Sequence, residues 1–383
     1  MNDSRPTWRS RCIPGIAGAI TLLWLSVSHT GDFHVYWLAG RALRSGWAAV
    51  YQISGLTPFK YHPAFALVFA PFGWLSEPAA RIVWAALNAA MVVDAQRRWR
   101  ARWTLDDVAI GLGYICVGHA LFWQYQFGNV TFAMLWLWTV ALTSPRRWVE
   151  AGCYAILIAL KPFWIALIVP WILLRRWQLL GRVVAALIAI SAVPVILGPA
   201  SLVTAYRRWI ETFADPLHAH NYPKNDNQSW FGFLYRHREL VHDHVTLWWI
   251  IGCTLAGVLW LAFWRRLWRA PLARRDWWIV EASLIPFILW TSPLSWIHHQ
   301  ILLWPLLALA WKLGRHEPAA RAVFVLSLIV LTVLSQSIIG RPATLVVLTW
   351  GIPLMAFPLL TWWGGARVAP GGSFLQDQEQ RIA

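Results

Sequence analysis

The feature that most constrains the fold is a succession of apolar stretches, each about long enough to form a membrane-spanning helix. An α-helix rises about 1.5 Å per residue, so about 20 apolar residues cross the hydrocarbon layer of a bilayer. The stretches are continuously apolar, which favours α-helices over the alternating strands of a membrane barrel. They lie near residues 13–29, 59–76, 79–95, 107–123, 130–143, 149–175, 183–198, 245–264, 277–292, 299–313, 319–339 and 343–363. We therefore predict an all-α polytopic membrane protein with roughly 11 to 13 transmembrane helices.

The composition agrees with a membrane protein and argues against a nucleic-acid-binding one. The 383 residues are 58% hydrophobic and only 13% charged, and the mean hydropathy is +0.49, above the usual soluble range. The net charge of +16 comes from short arginine runs between apolar stretches, such as Arg175-Arg176. Such runs are typical of cytoplasmic loops. The 31 tryptophans favour the headgroup interface.

The arginine pattern also predicts an orientation. Arg5, Arg9 and Arg11 precede the stretch at 13–29, which we interpret as a retained signal anchor whose far end leaves the cytoplasm. Residues 1–366 then form a single integral membrane domain with outer loops near 31–61 and 199–244, and residues 367–383 form a disordered cytoplasmic tail. The predominance of arginine over lysine is typical of GC-rich bacteria, which indicates a bacterial inner membrane.

One part of this topology is harder to assign. The basic residues at 97–102 and 146–147 also look cytoplasmic, yet a simple count of crossings places them outside. The conflict disappears if the stretch at 59–76 only dips into the membrane and the stretch at 149–175 bends back at Lys161-Pro162. Proline breaks or kinks a helix, so a bend at that position is plausible.

An acidic residue, Asp32, follows the first apolar stretch within SHTGDFHVYW. Its simplest role is to cap a short helix over 33–45 that lies along the membrane interface. Its alternative role is chemical, because other polar residues occur at the same predicted membrane face. Lys60 and Tyr61 close the first outer loop, where a substrate contact is conceivable but an ordinary interfacial position would explain them equally well.

Further polar residues interrupt apolar stretches. Lys161 lies inside ILIALKPFWIALIV, where an ammonium group must either snorkel to the surface or meet an anion. His298 and His299 lie in TSPLSWIHHQ and offer hydrogen bonds or positive charge to a phosphate, although a plain interfacial pair is an equal alternative. Gln126 and Asn129, in WQYQFGNV, form a polar break that either caps the next helix or contacts a ligand.

A second polar segment, KNDNQSWFGFLYR, precedes the stretch at 245–264. Charge-assisted and amide hydrogen bonds from such a segment suit an anion or a hydroxylated sugar. Its alternative is a solvated loop. The sequence gives no Cys or His spacing typical of a zinc site, and we expect neither a metal nor another cofactor. The candidate residues of this segment are Asn227, Gln228, Ser229 and Arg236.

In order and spacing, these motifs resemble glycosyltransferase family 87, whose members are polyprenol-phosphate-mannose-dependent mannosyltransferases with a GT-C fold. The resemblance runs over roughly residues 20 to 310, through GDFHVYWLAGRALRSGWAAVY, FKYHPAFALVFAPFGWL, FGN, ALKP, NQS and SPLSWIHH. It implies that Asp32 is the catalytic base. It also implies that a donor site is lined by Lys161, Asn129, Gln228, His298 and His299.

Together, the residues and the resemblance predict a membrane hexosyltransferase with its active site on the outer, periplasmic side. The expected donor is a polyprenyl-phosphate sugar, most simply mannose, and the expected acceptor is a lipid or glycan. Transfer would invert the anomeric carbon, because one base activates the acceptor while the phosphate leaves from the opposite face. Two alternatives stay open from the residues alone: a transporter or flippase of a lipid-linked saccharide, and a non-catalytic subunit of an envelope-assembly complex.

Overall fold

A computed structural model describes most of the chain, namely residues 31–52, 59–197, 202–214, 224, 227–267, 277–315, 318–329 and 331. The predicted signal anchor at 13–29, the apolar stretch at 343–363 and the predicted tail at 367–383 lie outside these residues, as do residues 330 and 332–339 of the stretch at 319–339. The predicted outer loop at 199–244 is described only in part.

The described residues form helices and connecting loops without a β-strand, as predicted for an all-α protein. Short 3-10 helices occupy Leu43–Ser45, Phe72–Trp74, Pro162–Leu167, Arg238–Val241 and Ile297–Leu303. The α-helices are α1 (Asp32–Ala42), α2 (Trp47–Val50), α3 (Ala64–Phe69), α4 (Glu77–Trp103), α5 (Asp107–Cys116), α6 (Gly118–Phe127), α7 (Thr131–Thr143), α8 (Arg147–Leu160), α9 (Ile168–Leu173), α10 (Trp177–Leu197), α11 (Leu202–Ala214), α12 (Trp230–Arg236), α13 (Val245–Leu267), α14 (Trp277–Thr291), α15 (Trp304–Gly314) and α16 (Pro318–Leu328).

Membrane-length helices are present within this set. In the described ranges, α10 and the segment Val245–Ala262 of α13 are each long and apolar enough to cross a bilayer. Helices α5 and α6 meet at a bend of 70° and form a third such span if they are taken together. Most of α10 faces away from the protein, with 17% of its most apolar window buried. An exposed apolar helix surface of this kind is stable against lipid, and the structure fits a membrane protein.

The chain reverses at Lys161, as the proline had indicated. Lys161 has extended backbone angles, φ −142° and ψ 109°, because the residue before a proline is disfavoured in the helical region. Helix α8 therefore ends at Leu160, and a 3-10 helix and α9 carry the chain back. The return is complete at Arg176, whose guanidinium donates a hydrogen bond to Glu150 near the start of α8.

A second reversal lies between α14 and α15. Near its first residue α14 places Trp278 against Trp103, with ring centroids 4.3 Å apart. The chain turns over 292–296, and α15 then returns to the same level, where Lys312 Nζ donates to the Thr104 carbonyl at 3.0 Å. Both reversals are followed by 3-10 helices, Pro162–Leu167 and Ile297–Leu303, and their turns lie at the same end of the molecule.

Most of the described arginine runs gather at the opposite end, here called the Arg-rich end, whereas Arg207-Arg208 belongs to α11, whose Trp209 donates to the Lys60 carbonyl at 3.3 Å. Arg98 donates to Thr143 at 3.2 Å, which joins the C-terminal part of α4 to the last residue of α7.

The segment at 59–76 explains why the arginines at 97–102 lie at this end. Its longest helix, α3, has six residues and is about 9 Å long, too short to cross a bilayer. The structure therefore agrees with a segment at 59–76 that does not cross the membrane. The end of the molecule with the two turns is called the Asp32 end.

Candidate functional site

The site begins with a close approach between two helix ends. Gly31 precedes α1, and a Cβ at this position would lie 2.4 Å from the Cα of Phe127 at the end of α6. Only glycine permits this contact. It brings Asp32, the first residue of α1, next to Asn129, whose Nδ2 donates to Asp32 Oδ2 at 2.6 Å. The predicted capping role was wrong: Gly31 is the N-cap residue, and no side chain caps this helix end.

Asn129 is held in place by its neighbours. Gly128 has a left-handed conformation with φ 62°, which ends α6, and its carbonyl accepts from Trp84 Nε1 at 2.7 Å. The side chain of Gln124 donates to the Asn129 carbonyl. Thr131 Oγ1 donates to Asn129 Oδ1 at 3.0 Å. Because its oxygen is occupied, the Asn129 amide must present its NH₂ group to Asp32.

Lys161 and Lys60 supply positive charge to the same place. The Nζ atom of Lys161 lies 5.1 Å from the ring centroid of Tyr61, and the charges of Lys161 and Lys60 act on Asp32. Tyr61 is fixed by Tyr36, with the two hydroxyl oxygens 2.7 Å apart. The structure therefore favours the alternative in which Lys161 meets an anion over the one in which it snorkels to the surface.

The electrostatic setting of Asp32 suits a base. Burial raises the pKa of Asp32 above its usual value, while the Asn129 hydrogen bond and the charges of Lys161 and Lys60 lower it; burial has the larger effect. A carboxylate with a raised pKa accepts a proton more readily than an exposed one. The side chain is half-buried, so it remains within reach of a ligand.

The two histidines lie on the 3-10 helix after the second reversal and are almost completely buried. His298 packs near Phe127, with ring centroids 6.4 Å apart, and the charge of Lys161 acts on both imidazoles. Neither ring nitrogen of His298, nor Nε2 of His299, has a hydrogen-bond partner in the described part of the chain. Buried polar atoms are costly when they are unpaired, so a site that keeps three of them is suited to bind a ligand.

The predicted segment at 227–236 holds the turn that carries the histidines. Asn227 donates from Nδ2 to the Pro293 carbonyl at 3.0 Å and accepts at Oδ1 from Ser295 N at 3.0 Å. Ser229 Oγ donates to the same Pro293 carbonyl at 3.1 Å. These contacts occupy side-chain groups that had been predicted to touch a substrate. Asn227 and Ser229 thus position the His pair.

The remaining two members of this segment also bond to backbone. The Gln228 N–H donates to the Ser295 carbonyl at 2.6 Å, and the Gln228 side chain is buried. Arg236 donates to the carbonyls of Lys224 and Asn227, each at 2.9 Å. Arg236 therefore helps to fix the segment at 227–236 on the turn at 292–296.

The structure also brings together residues that the sequence analysis did not select. Gln124, not Gln126, contacts Asn129. Side chains two residues apart on a helix point in directions that differ by about 200°, so only one of the two glutamines can face Asn129. Tyr36 was missed although it lies four residues after Asp32, on the same face of a helix. The i,i+4 spacing was the signal for Tyr36. Trp84 and Thr131 have no helical spacing from Asp32 that would have indicated them. Trp84 bonds to Gly128, which follows another helix, and Thr131 bonds to Asn129 in the connecting loop.

Comparisons with known proteins find relatives of this chain among membrane glycosyltransferases. Two mycobacterial relatives are both described as polyprenol-phosphate-mannose-dependent alpha-(1-2)-phosphatidylinositol mannoside mannosyltransferases. The protein from Mycolicibacterium smegmatis is 26% identical over 342 residues, covering 78% of this chain and 74% of the relative. The protein from Mycobacterium tuberculosis is 28% identical over 344 residues, covering 80% of this chain and 77% of the relative. No solved structure matches significantly.

Glycosyltransferase family 87 matches residues 59–293, which is more than half of the chain. The match includes Lys161 and Asn129, whereas Asp32 and the His pair lie outside it, so their assignment depends on the contacts described above. A transferase is thereby favoured over a transporter or a scaffold subunit. This chain belongs to glycosyltransferase family 87.

Proposed function

We propose that the enzyme transfers mannose from a polyprenyl-phosphate donor to a hydroxyl of a lipid-type acceptor, such as a phosphatidylinositol mannoside. The printed names of both relatives support this donor and this acceptor class. The observation that carries the proposal is a half-buried carboxylate, Asp32, which accepts a hydrogen bond from Asn129 and lies within the electrostatic influence of Lys161. A base and a cation in one site suit sugar transfer from a phosphate.

The cationic and imidazole groups hold the donor phosphate. Lys161 supplies the charge, and the unpaired nitrogens of His298 and His299 supply hydrogen bonds to phosphate oxygens. In a region of low dielectric such contacts stabilise a developing negative charge strongly. In this proposal the polyprenyl chain lies in the bilayer and the phosphate lies near the membrane surface, beside the turns at 161 and 292–296.

Asp32 activates the acceptor. Its carboxylate takes the proton of the acceptor hydroxyl while that oxygen forms a bond to the anomeric carbon. The bond from this carbon to the phosphate oxygen breaks, and its electron pair leaves with polyprenyl phosphate. No second carboxylate acts on Asp32 among the described residues. This favours a single displacement with inversion over a double displacement, which needs both a nucleophile and an acid/base group.

The Arg-rich end faces the cytoplasm in this proposal, and the Asp32 end faces the periplasm across a bacterial inner membrane. The support is the positive-inside rule, since most of the described arginine runs lie at the Arg-rich end. Residues 1–366 are proposed to form one integral membrane domain that brings both lipid substrates to the Asp32 end.

A transfer assay tests the proposal. The purified enzyme in lipid nanodiscs is supplied with polyprenyl-phosphate mannose, glucose or arabinose, together with phosphatidylinositol mannosides, and products are followed by mass spectrometry. We expect mannose transfer that depends on the acceptor. The matched control is Asp107→Asn, which changes an exposed carboxylate at the Arg-rich end and should leave transfer intact.

Two outcomes would count against the proposal. Transfer of another sugar without transfer of mannose would contradict the donor assignment. If no donor and acceptor pair gives product, while the protein moves polyprenyl-phosphate mannose across liposome membranes, the transporter alternative is correct.

A further inference from the structure

A basic cleft lies at the Arg-rich end, away from the candidate active site. It has a volume of about 450 Å³, within the range of roughly 300–1,000 Å³ that is common for ligand sites. It is formed where the start of α8 meets the loop before α10 and the first turns of α10. Its lining consists of Arg147, Glu150, Arg175, Arg176, Trp177, Gln178, Leu179 and Arg182.

Carboxylates of the described residues compensate only a small part of the positive charge in the cleft. Four arginines face one glutamate, and Glu150 is already paired with Arg176. Arg147 and Arg182 donate to a neutral acceptor, Gln178 Oε1, at 3.3 and 3.4 Å. Among the described residues, no carboxylate pairs with Arg147, Arg175 or Arg182. Clustered guanidinium groups are well suited to phosphate oxygens.

The N-termini of two helices add to the positive electrostatic potential of the cleft. Helix α8 starts at Arg147, and α10 starts at Trp177 and has no acidic residue in its first turn. The first amides of a helix lack intrahelical acceptors and carry partial positive charge. The cleft therefore combines arginines with two positive helix ends, an arrangement that favours an anion.

The surroundings of the cleft indicate a lipid more than a free anion. Trp148 and Trp177 are 63% and 57% exposed, and exposed indole rings favour the headgroup level of a membrane. Ala185 and Ala189 follow Gln178 and Arg182 on the same face of α10 and are exposed. These small apolar residues extend from the cleft toward the bilayer interior, where an acyl chain can lie against them.

From these observations we propose that the cleft binds the phosphate of an anionic phospholipid in the leaflet at the Arg-rich end. The arginines and the helix starts hold the headgroup, and the outer face of α10 holds an acyl chain. Basic pockets between transmembrane helices bind anionic headgroups in this way. The site is independent of sugar transfer, since the helical hairpin 147–176 reverses at Lys161 and separates the cleft from the donor site by the full length of α8.

Native mass spectrometry of the detergent-purified protein with added phosphatidylglycerol or phosphatidylcholine tests the site. We expect retention of phosphatidylglycerol and little retention of phosphatidylcholine. The triple variant Arg147→Gln/Arg175→Gln/Arg182→Gln should bind phosphatidylglycerol at least tenfold more weakly. The matched control is Arg97→Gln/Arg100→Gln/Arg102→Gln, which removes three arginines from another part of the Arg-rich end and should bind within twofold of the wild type.

A single substitution, Arg147→Glu, tests the site even if the triple variant does not fold. Arg147→Glu reverses a charge at a helix start, where a carboxylate is compatible with the helix dipole, and it should weaken binding without lowering the unfolding midpoint. Unchanged phosphatidylglycerol binding in Arg147→Glu and in the triple glutamine variant would overturn the proposal. It would also be overturned if inorganic phosphate displaced the lipid at equal concentration, because the site would then be one for a free anion.

Discussion

Asp32 and Glu281 are two acidic side chains withdrawn from bulk water, and their surroundings differ. Asp32 is half-buried and accepts one hydrogen bond, from Asn129. Glu281 is 2% exposed and is surrounded by donors: Trp138 Nε1 lies 2.9 Å away, Trp171 Nε1 lies 3.2 Å away, and the Tyr154 hydroxyl lies 2.8 Å from both carboxylate oxygens.

The comparison distinguishes a carboxylate that can accept further hydrogen bonds, Asp32, from one whose oxygens are already occupied, Glu281. The donors around Glu281 occupy its oxygens, and its charge is further balanced by Arg176. A buried carboxylate satisfied in this way joins the helices that contribute its partners. Asp32 keeps one oxygen without a hydrogen bond in the described structure and a path to solvent. Burial alone therefore does not distinguish the two carboxylates; the unused accepting capacity of Asp32 is what suits it to the proposed role of base.

The largest expected effect comes from Asp32→Asn. The amide keeps the shape of the side chain but cannot take a proton from the acceptor, so the transfer rate should fall by about 10²–10⁴-fold. The unfolding midpoint and the affinity for the polyprenyl-phosphate donor should stay close to those of the wild type. Steady-state transfer and donor-binding measurements check this. Transfer at the wild-type rate would remove Asp32 from the mechanism.

Lys161→Met should give the next largest effect. It removes the ammonium group near Asp32 and the proposed phosphate, and loss of such a contact is expected to lower kcat/KM by about 10²–10³-fold. The desolvation cost of the ammonium group and its attraction to Asp32 and Tyr61 oppose each other, so the unfolding midpoint should change little. The opposite pattern, with normal transfer and a lower midpoint, would make Lys161 a structural residue.

Glu281→Gln should affect stability more than catalysis. The change breaks charge-assisted hydrogen bonds in the interior and should cost about 1–3 kcal/mol. Thermal unfolding in detergent measures the loss, and Tyr154→Phe, which removes one donor, should give a smaller loss. The transfer rate of the folded enzyme should change by less than the rate of Asp32→Asn does. A large rate loss with an unchanged midpoint would erase the distinction between the two carboxylates.

The sequence was sufficient to select several of the residues that the structure brings together in the candidate site. Asp32, Lys161 and the His pair were selected because polar side chains within or beside apolar stretches are energetically unfavourable in a membrane. Such residues are therefore candidates for a functional role. The reversal at Lys161-Pro162 and the absence of a membrane-length helix at 59–76 were also predictable, since a proline and the distribution of arginines indicated them. These features depend on local chemistry and on charge, which a sequence displays directly.

The sequence was not sufficient to predict which polar side chains would form hydrogen bonds within the protein and so be unavailable to a ligand. Asn227 and Ser229 look like sugar-binding residues, yet their partners are backbone atoms of Pro293 and Ser295. Glu281 lies in an apolar stretch and was not selected, and its partners come from helices more than 100 residues away in sequence. Contacts between distant helices follow from packing, which periodicity and composition do not specify.

The most direct test of the central claim is the pH dependence of kcat/KM. The base must be ionised, so activity should be lost as the pH falls through the raised pKa of Asp32. Asn129→Ala removes a hydrogen bond that lowers this pKa, and the acid limb should therefore move to higher pH. Gln126→Ala, the control, should leave the limb in place. The residual activity of Asp32→Asn should lack this limb. An acid limb that stays fixed in Asn129→Ala and persists in Asp32→Asn would contradict the assignment of Asp32 as the base.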